Sequence, residues 1–256
     1  AGLLKQNGMT ISRRIPALAW LVAGSLFAAT PQSDVRIVSP WPAQNTIIAM
    51  LGYGDNIVGT SQVAKRIPLF RQSLPRIDDV PVVSVNNGHE LNPERILSLR
   101  TQLLFVPKSM SIPRQSLLEG AGVRILAFEA NSMAALTARV QKTADVLGPD
   151  AQEKAARYQH YFDHNVALVA SRLKDLPDNE RRAVYHSMGN ALTTTGKPSL
   201  NQDWMDLAGA RNVAENWFAS KPNRSGEDAL DHIMGGNPGV IVSLHKRYAD
   251  ELMTSP

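Results

Sequence analysis

From Asp34 onward the hydrophobic positions fall into two kinds of run. Short β-branched and apolar runs at Val35–Ser39, Ile57–Ser61, Val82–Val85, Leu103–Pro107 and Val123–Phe128 have the length and residue types of strands. Between them the period lengthens to that of a helix over Gln44–Leu51, Pro93–Leu99 and Pro113–Glu119. Asn92 ahead of Pro93 is an N-cap followed by proline at the first helical position, and Gly120 stops the third segment. The Asn131–Leu173 stretch carries no strand signal, breaks at Gly148-Pro149, and then sets Tyr158, Phe162, Val166, Val169 and Leu173 on one stripe. A second alternating set follows: a strand over Ala183–Met188, helices near Asp203–Ala208 and Glu227–Met234, and a strand over Val240–Leu244. Strands separated by helices give βαβ units and mostly parallel sheets. The expected fold class is α/β, with lobes over 34–130 and 177–256 joined through a helical region, 131–176, that holds one long helix.

The two sets echo each other. Leu51-Gly-Tyr-Gly-Asp-Asn-Ile-Val58 resembles Leu207-Ala-Gly-Ala-Arg-Asn-Val-Ala214, each reading as a helix end, a small-residue turn and the start of a strand. Helices opening at Glu94 and Glu227 are then each expected to precede another strand, Leu103–Pro107 and Val240–Leu244.

Residues 1–33 read differently. Lys5, Arg13 and Arg14 are the only charges before Asp34, the apolar run Ile15–Phe27 follows them, and Ala28-Ala29-Thr30-Pro31 closes the segment. A basic start, an apolar middle and a small-residue end make a secretory signal peptide. Pro16 and the polar residues Thr30 to Ser33 shorten the apolar part below the ~20 residues of a membrane span.

Composition matters once this leader is set apart. Apolar residues make up 43% and charged residues 20% of the chain, enough to bury a core. The net charge is +4, with a pI near 9.4. Three of the 27 basic side chains lie in the leader, which leaves 24 against 23 acidic ones. A nearly neutral body without a Lys/Arg stripe argues against nucleic-acid binding. No cysteine is present, so this sequence offers no disulfide, no thiolate metal site and no lipidated cysteine.

Six fragments taken together resemble the periplasmic substrate-binding proteins of ABC importers for iron-siderophore, haem and cobalamin. They are Ser39-Pro-Trp-Pro42, Ile48-Ala-Met-Leu-Gly-Tyr-Gly-Asp-Asn-Ile-Val-Gly59, Asn92-Pro-Glu-Arg-Ile-Leu-Ser-Leu99, Trp204-Met-Asp-Leu-Ala-Gly-Ala-Arg-Asn-Val213, Ser225-Gly-Glu-Asp-Ala-Leu230 and Asn237-Pro-Gly-Val-Ile-Val242. The resemblance implies a ligand cleft between two α/β lobes bridged by one rigid helix, here Asp150–Leu173, and a periplasmic monomer without a cofactor of its own. It implies a metal chelate as ligand, ferric siderophore first, then haem, cobalamin, nickel chelate or molybdate. It also implies an inner-membrane ABC permease as partner, docked through Glu94 and Glu227. Family members continue beyond the position of Pro256, so a second lobe shortened at its C-terminus, with reduced stability and weak binding, is expected.

Cleft residues of such a fold sit at the C-terminal ends of strands. That selects Trp41, His89 in the Asn86–His89 loop, Lys108, Tyr185, His186, Trp217 in the segment reaching Lys221, His245 and Arg247. Aromatic faces suit a flat ligand, cations suit carboxylates or catecholates, and histidine can hydrogen-bond or ligate a metal. A bare metal site is not expected. His160 and His164 lie about 160° from Phe162, the centre of the apolar stripe, and so face water. One enzymatic alternative is a serine hydrolase with Ser187 as nucleophile in Val184-Tyr-His-Ser-Met-Gly189. Against it, Tyr185 stands where the nucleophile elbow needs glycine, and Asn190–Ser199 reads as strand and turn where a helix should follow.

Overall fold

A computed structural model of the chain describes residues 33–85, 88–221, 225–228 and 230–254. The leader signal, apart from Ser33, lies outside these residues, as do Asn86 and Asn87.

The first half is built on Leu103–Val106, four consecutive buried residues. Such an unbroken apolar run needs cover on both faces, the signature of a parallel strand between helix layers. In chain order the elements are β1 (Ile37–Val38), α1 (Pro42–Met50), β2 (Ile57–Gly59), α2 (Gln62–Lys65), α3 (Phe70–Ser73), β3 (Ser84–Val85), β4 (Glu90–Leu91), α4 (Pro93–Ser98), β5 (Leu103–Pro107), α5 (Gln115–Gly120) and β6 (Arg124–Phe128). The sheet order is β2-β1-β5-β6, parallel throughout. Side chains alternate between its faces. Ile37, Leu103 and Phe105 join Ile47, Ile48 and Leu51 of α1 in one core. Val38, Leu104 and Val106 join Ile96 of α4 and Leu118 of α5 in the other.

The expected cap on α4 is present: Asn92 Oδ1 accepts from Arg95 N at 3.2 Å, with Pro93 at the first position. The expected strand Val82–Val85 is corrected. Only a single bridge, Thr60 to Val82, extends the sheet, and Ser84–Val85 pairs antiparallel with β4.

Two antiparallel helices follow, α6 (Met133–Leu147) and α7 (Pro149–Leu173). Ser132 Oγ caps α6 by accepting from Ala135 N at 2.9 Å, and Gly148 with φ 120° separates it from Pro149. Val140, Ala144 and Leu147 of α6 and Ala151 and Ala155 of α7 pack into the α1-side core. Tyr158 and Phe162 continue the α7 stripe half-buried, with ring centroids 6.1 Å apart, while His160 and His164 are exposed, as expected.

The second lobe holds β7 (Arg182–Ser187), β8 (Thr193–Thr195), α8 (Leu200–Leu207), β9 (Ala210–Asn212), β10 (Ser225–Glu227), α9 (Leu230–Gly235), β11 (Val240–Ser243) and α10 (Lys246–Thr254). Its parallel sheet has the order β11-β7-β9, with β8 and β10 as an antiparallel pair beside it. Its core is smaller: Tyr185, Ala191, Ile233 and Leu252 with half-buried surroundings. Ser199 Oγ caps α8 by accepting from Gln202 N at 3.0 Å, so this helix starts earlier than its apolar residues announce.

Two expectations fail here. Glu227 does not open a helix; Ser225–Glu227 is extended and pairs in register with Thr195–Thr193, and the helix begins at Leu230. Arg247, selected as lying at the C-terminal end of a strand, is instead in the first turn of α10.

The internal echo is a topological repeat. In each lobe a first strand (β1, β7) is flanked on one side by the strand that follows a helix (β2 after α1, β9 after α8) and on the other by a later strand (β5, β11). Both helix-to-strand turns pass through a glycine with positive φ, Gly52 at 88° and Gly209 at 75°, a backbone state that disfavours other residues. The first sheet continues into β6. In the second, no described strand continues the sheet beyond β11, and Val240 and Val242 on it are exposed.

Candidate functional site

Strand C-terminal ends position the candidate side chains. Trp41 follows β1 and Lys108 follows β5, two neighbouring strands. In the second lobe His186 lies near the end of β7, His245 just beyond the neighbouring β11, and Trp217 beyond β9 on the other side. The lobes are tied nearby by Asp203 of α8, whose Oδ2 accepts from Met133 N at 2.9 Å at the start of α6.

Around Trp41 the structure assembles more than the sequence promised. Trp41 is the half-buried N-cap residue of α1. Over its ring, 4.1 Å from the centroid, lies the guanidinium of Arg139 from α6. Arg139 is only 5% exposed. Burial lowers its pKa from the usual arginine range, and the nearby Tyr158 opposes that shift. Burial likewise pushes the Tyr158 phenol up, with Arg139 pulling the other way. Among the described residues no carboxylate pairs with Arg139 and no group accepts from its guanidinium; its Nε is fully enclosed. Stacking on an aromatic face returns about 2 kcal/mol, against several kcal/mol for taking such an ion out of water.

Polar groups continue beneath it. Gln44 Nε2 donates to Thr143 Oγ1 at 2.8 Å, and that hydroxyl donates to the Arg139 carbonyl at 2.7 Å. Asn45 Nδ2 donates to Thr60 Oγ1 at 3.0 Å, which donates in turn to the Ser39 carbonyl at 2.9 Å. The side chains of Gln44, Asn45, Thr60 and Thr143, with that of Ser39, are buried, and Gln44 Oε1 and Asn45 Oδ1 lack partners among the described residues. Buried polar atoms are nearly always satisfied, which sets these two oxygens apart.

The second lobe presents His186, 6% exposed and edge-on to Trp204 at 5.6 Å between centroids. Its Nδ1 is enclosed without a partner among the described residues, and burial depresses its pKa below the ordinary histidine value. Trp204 Nε1 donates to Asn201 Oδ1 at 3.0 Å, and Asn201 Nδ2 donates to Thr195 Oγ1 at 2.9 Å, which holds the indole in place.

The other sequence candidates are placed as follows. Tyr185 is a core residue, fully buried, its hydroxyl donating to the Ala191 carbonyl at 2.8 Å; burial, with Asp228 nearby, pushes its pKa well up. Trp217 is half-buried and stacks on His232 with centroids 4.1 Å apart, and His232 Nδ1 is 2.8 Å from Asp228 Oδ2. Lys108 is exposed and pairs with Glu129 at 3.3 Å, and His89 is exposed. His245 packs edge-on against Tyr248 at 5.4 Å, and Arg247 pairs along α10 with Glu251 at 3.3 Å. Glu94 is exposed at the start of α4 in an ion pair with Arg114, and Glu227 is exposed on β10.

Ser187 is buried and donates to Ser243 Oγ at 2.7 Å, so its hydroxyl is bound to a second serine and not to a histidine base. The described residues contain no group of three or more His, Asp or Glu placed to hold a metal. A cavity of about 280 Å³ lies at the opposite, N-terminal end of the first sheet, lined by Arg36, Asp55, Ile57, Arg76, Asp79 and Leu99 among others, and includes none of the candidates.

Sequence reasoning missed Arg139 and Trp204. A signal for Arg139 existed: Leu136, Arg139, Val140, Thr143, Ala144 and Leu147 fall at i, i+3, i+4, i+7, i+8 and i+11, one charge inside the apolar stripe of α6.

Comparison with known proteins places this geometry. The family profile described as periplasmic binding protein matches residues 37–234. The ABC transporter substrate-binding lipoprotein YvrC of Bacillus subtilis is 24% identical over 187 residues, covering 70% of this chain. The chain spans 55% of the length of that relative. Among solved structures, Helicobacter pylori CeuE with Ni(II) bound superposes with a TM-score of 0.66 at 19% identity, covering 88% of this chain and 71% of that one. A periplasmic haem-binding protein of Pseudomonas aeruginosa gives 0.66 at 23%, covering 85% and 76%. The molybdate-binding MolA of Haemophilus influenzae gives 0.66 at 18%, covering 83% and 70%. These structures share the fold. The chain belongs to the periplasmic binding protein family, whose members bind solutes for transport and are not an enzyme family.

Proposed function

We propose that this chain is the solute-capturing component of an ABC importer, holding a metal chelate between its lobes and delivering it to an inner-membrane permease. The observation that carries the reading is the matched pair of parallel-sheet lobes bearing an aromatic and cationic cluster at the strand ends of one and the His186–Trp204 pair in the other. Ferric siderophore is the first choice of solute, then haem, cobalamin, nickel chelate or molybdate. Neighbours that bind nickel or molybdate in their structures, and one described as haem-binding, favour a ligand of this kind. The leader before Asp34 would export the chain to the periplasm, and no described helix is long and apolar enough to cross a membrane.

Tryptophan fluorescence against ferric siderophores, haemin, cobalamin, nickel-histidine and molybdate tests the reading, because Trp41 follows β1, Trp217 lies beyond β9, and Trp204 of α8 packs against His186 near the end of β7. Saturable quenching by one of these supports it, and no response to any of them counts against it. Glu94 and Glu227 are proposed to meet permease arginines, with Arg114 of this chain as the competitor at Glu94. Charge reversal at both positions is expected to abolish uptake of the solute while leaving its affinity within about twofold, since neither touches a strand-end cluster.

A further inference from the structure

We propose that Arg139, laid on the face of Trp41, is the group that recognises the solute's negative charge, so that the solute is an anionic chelate bearing carboxylate, catecholate or oxyanion groups. This rests on the solute-binding reading above and adds to it a residue and a charge class.

A leucine at position 139 would complete the apolar stripe formed by Leu136, Val140, Ala144 and Leu147. The chain instead buries a cation there. None of the described carboxylates compensates it, and of the titratable groups only the Tyr158 phenol lies close enough to affect it. An isolated buried charge is costly, and such charges are normally paired.

The manner of burial leaves a route in. The guanidinium carbon lies over the Trp41 ring, 4.1 Å from its centroid, and Nε is sealed. Among the described residues nothing accepts from the terminal nitrogens, and they are not among the fully enclosed unpartnered atoms, so both retain contact with the surroundings. Stacking on one face leaves the in-plane fork of N–H donors intact, the geometry that takes a carboxylate or other planar oxyanion two bonds at a time.

Position along the helix agrees. Arg139 is six residues beyond Met133, whose amide is held by Asp203 of the second lobe. At 1.5 Å per residue it lies about 9 Å along α6 from the point where that lobe docks. The charge therefore sits beside the junction of the lobes, at the C-terminal end of β1.

The test uses the full chain, the variants Arg139→Met and Arg139→Lys, and probes of known charge. Haemin, a ferric tricatecholate and molybdate are the anions, and cyanocobalamin is the uncharged control. Wild type is expected to bind at least one anion more tightly than the control. Arg139→Met is expected to bind that anion at least about tenfold more weakly, with unchanged response to cyanocobalamin. Without ligand it is expected to melt at the same or a higher temperature, since removing an unpaired buried charge relieves its cost, whereas loss of a purely structural residue lowers the melt. Arg139→Lys keeps the charge but loses the flat fork, and is expected to weaken anion binding several-fold. It supplies the same reading should the methionine variant fail to fold.

Anion affinity within twofold of wild type in whichever variant folds would overturn the proposal, leaving the solute-binding reading intact. So would a wild-type preference for cyanocobalamin. A wild-type protein that binds none of the probes would remove both.

Discussion

His186 shows how a single residue ties the strand-end region of the second lobe to pH. Its ring is almost wholly enclosed, edge-on to Trp204, and burial depresses its pKa below the ordinary 6.5. The unfolded chain therefore takes up a proton near pH 6.5 that the native state refuses. Stability from the neutral ring is complete above that value and drains as the pH falls through the native pKa. Urea unfolding is expected to show wild type losing more stability between pH 7.5 and pH 5.5 than His186→Gln, by no more than about 1.4 kcal/mol per pH unit for one proton. An equal loss in both proteins would mean that another group sets the pH response. Tyr185, next along the same strand, illustrates the opposite use of a polar aromatic: its hydroxyl is spent on the Ala191 carbonyl, and the residue belongs to the core.

At the scale of elements the two sheets are unequal. Phe105 on β5 is fully buried between helix layers, and Phe105→Ala is expected to cost about 3–5 kcal/mol. Ile241 on β11 is half-buried over a smaller core, and Ile241→Ala is expected to cost about 1–2 kcal/mol. Denaturant titration of the two variants compares them directly; equal costs would mean that the lobes are equally well packed. The same inequality governs what could be read from the sequence. Leu103–Val106 and the Asn92-Pro93 cap are local signals, and β5 and α4 were legible from them. Glu227 was misassigned because β10 is held by Thr193–Thr195, more than thirty residues away, a pairing that no local pattern encodes. Helix α10 carries a weak sequence signal because, among the described residues, Tyr248 and Leu252 are the two side chains it sends to the core cluster, four residues apart among charges. Arg139 was hidden by the rule that arginine belongs on the surface, although the stripe around it was plain. The docking of a cation on Trp41 depends on two elements meeting, β1's end and α6, and only the folded chain shows it.

At the scale of the molecule, two copies of one topological unit flank a helical pair, and the echo between Gly52 and Gly209 was the sequence trace of that repeat. The copies differ at their margins. The first sheet runs on past β5 to β6, while β11 borders the second among the described residues. Along that border Val240 and Val242 are exposed, with Leu244 beyond them 65% exposed. An apolar strand edge offers hydrogen bonds to any similar edge it meets. Its consequence is kinetic: losses of soluble protein on storage should follow second-order behaviour, with the half-life falling as the concentration rises. A lysine on that edge, Val242→Lys, is expected to lengthen the half-life several-fold at high concentration and to change little in dilute solution, as light scattering over time would record. A half-life independent of concentration would instead assign the loss to unfolding of single molecules.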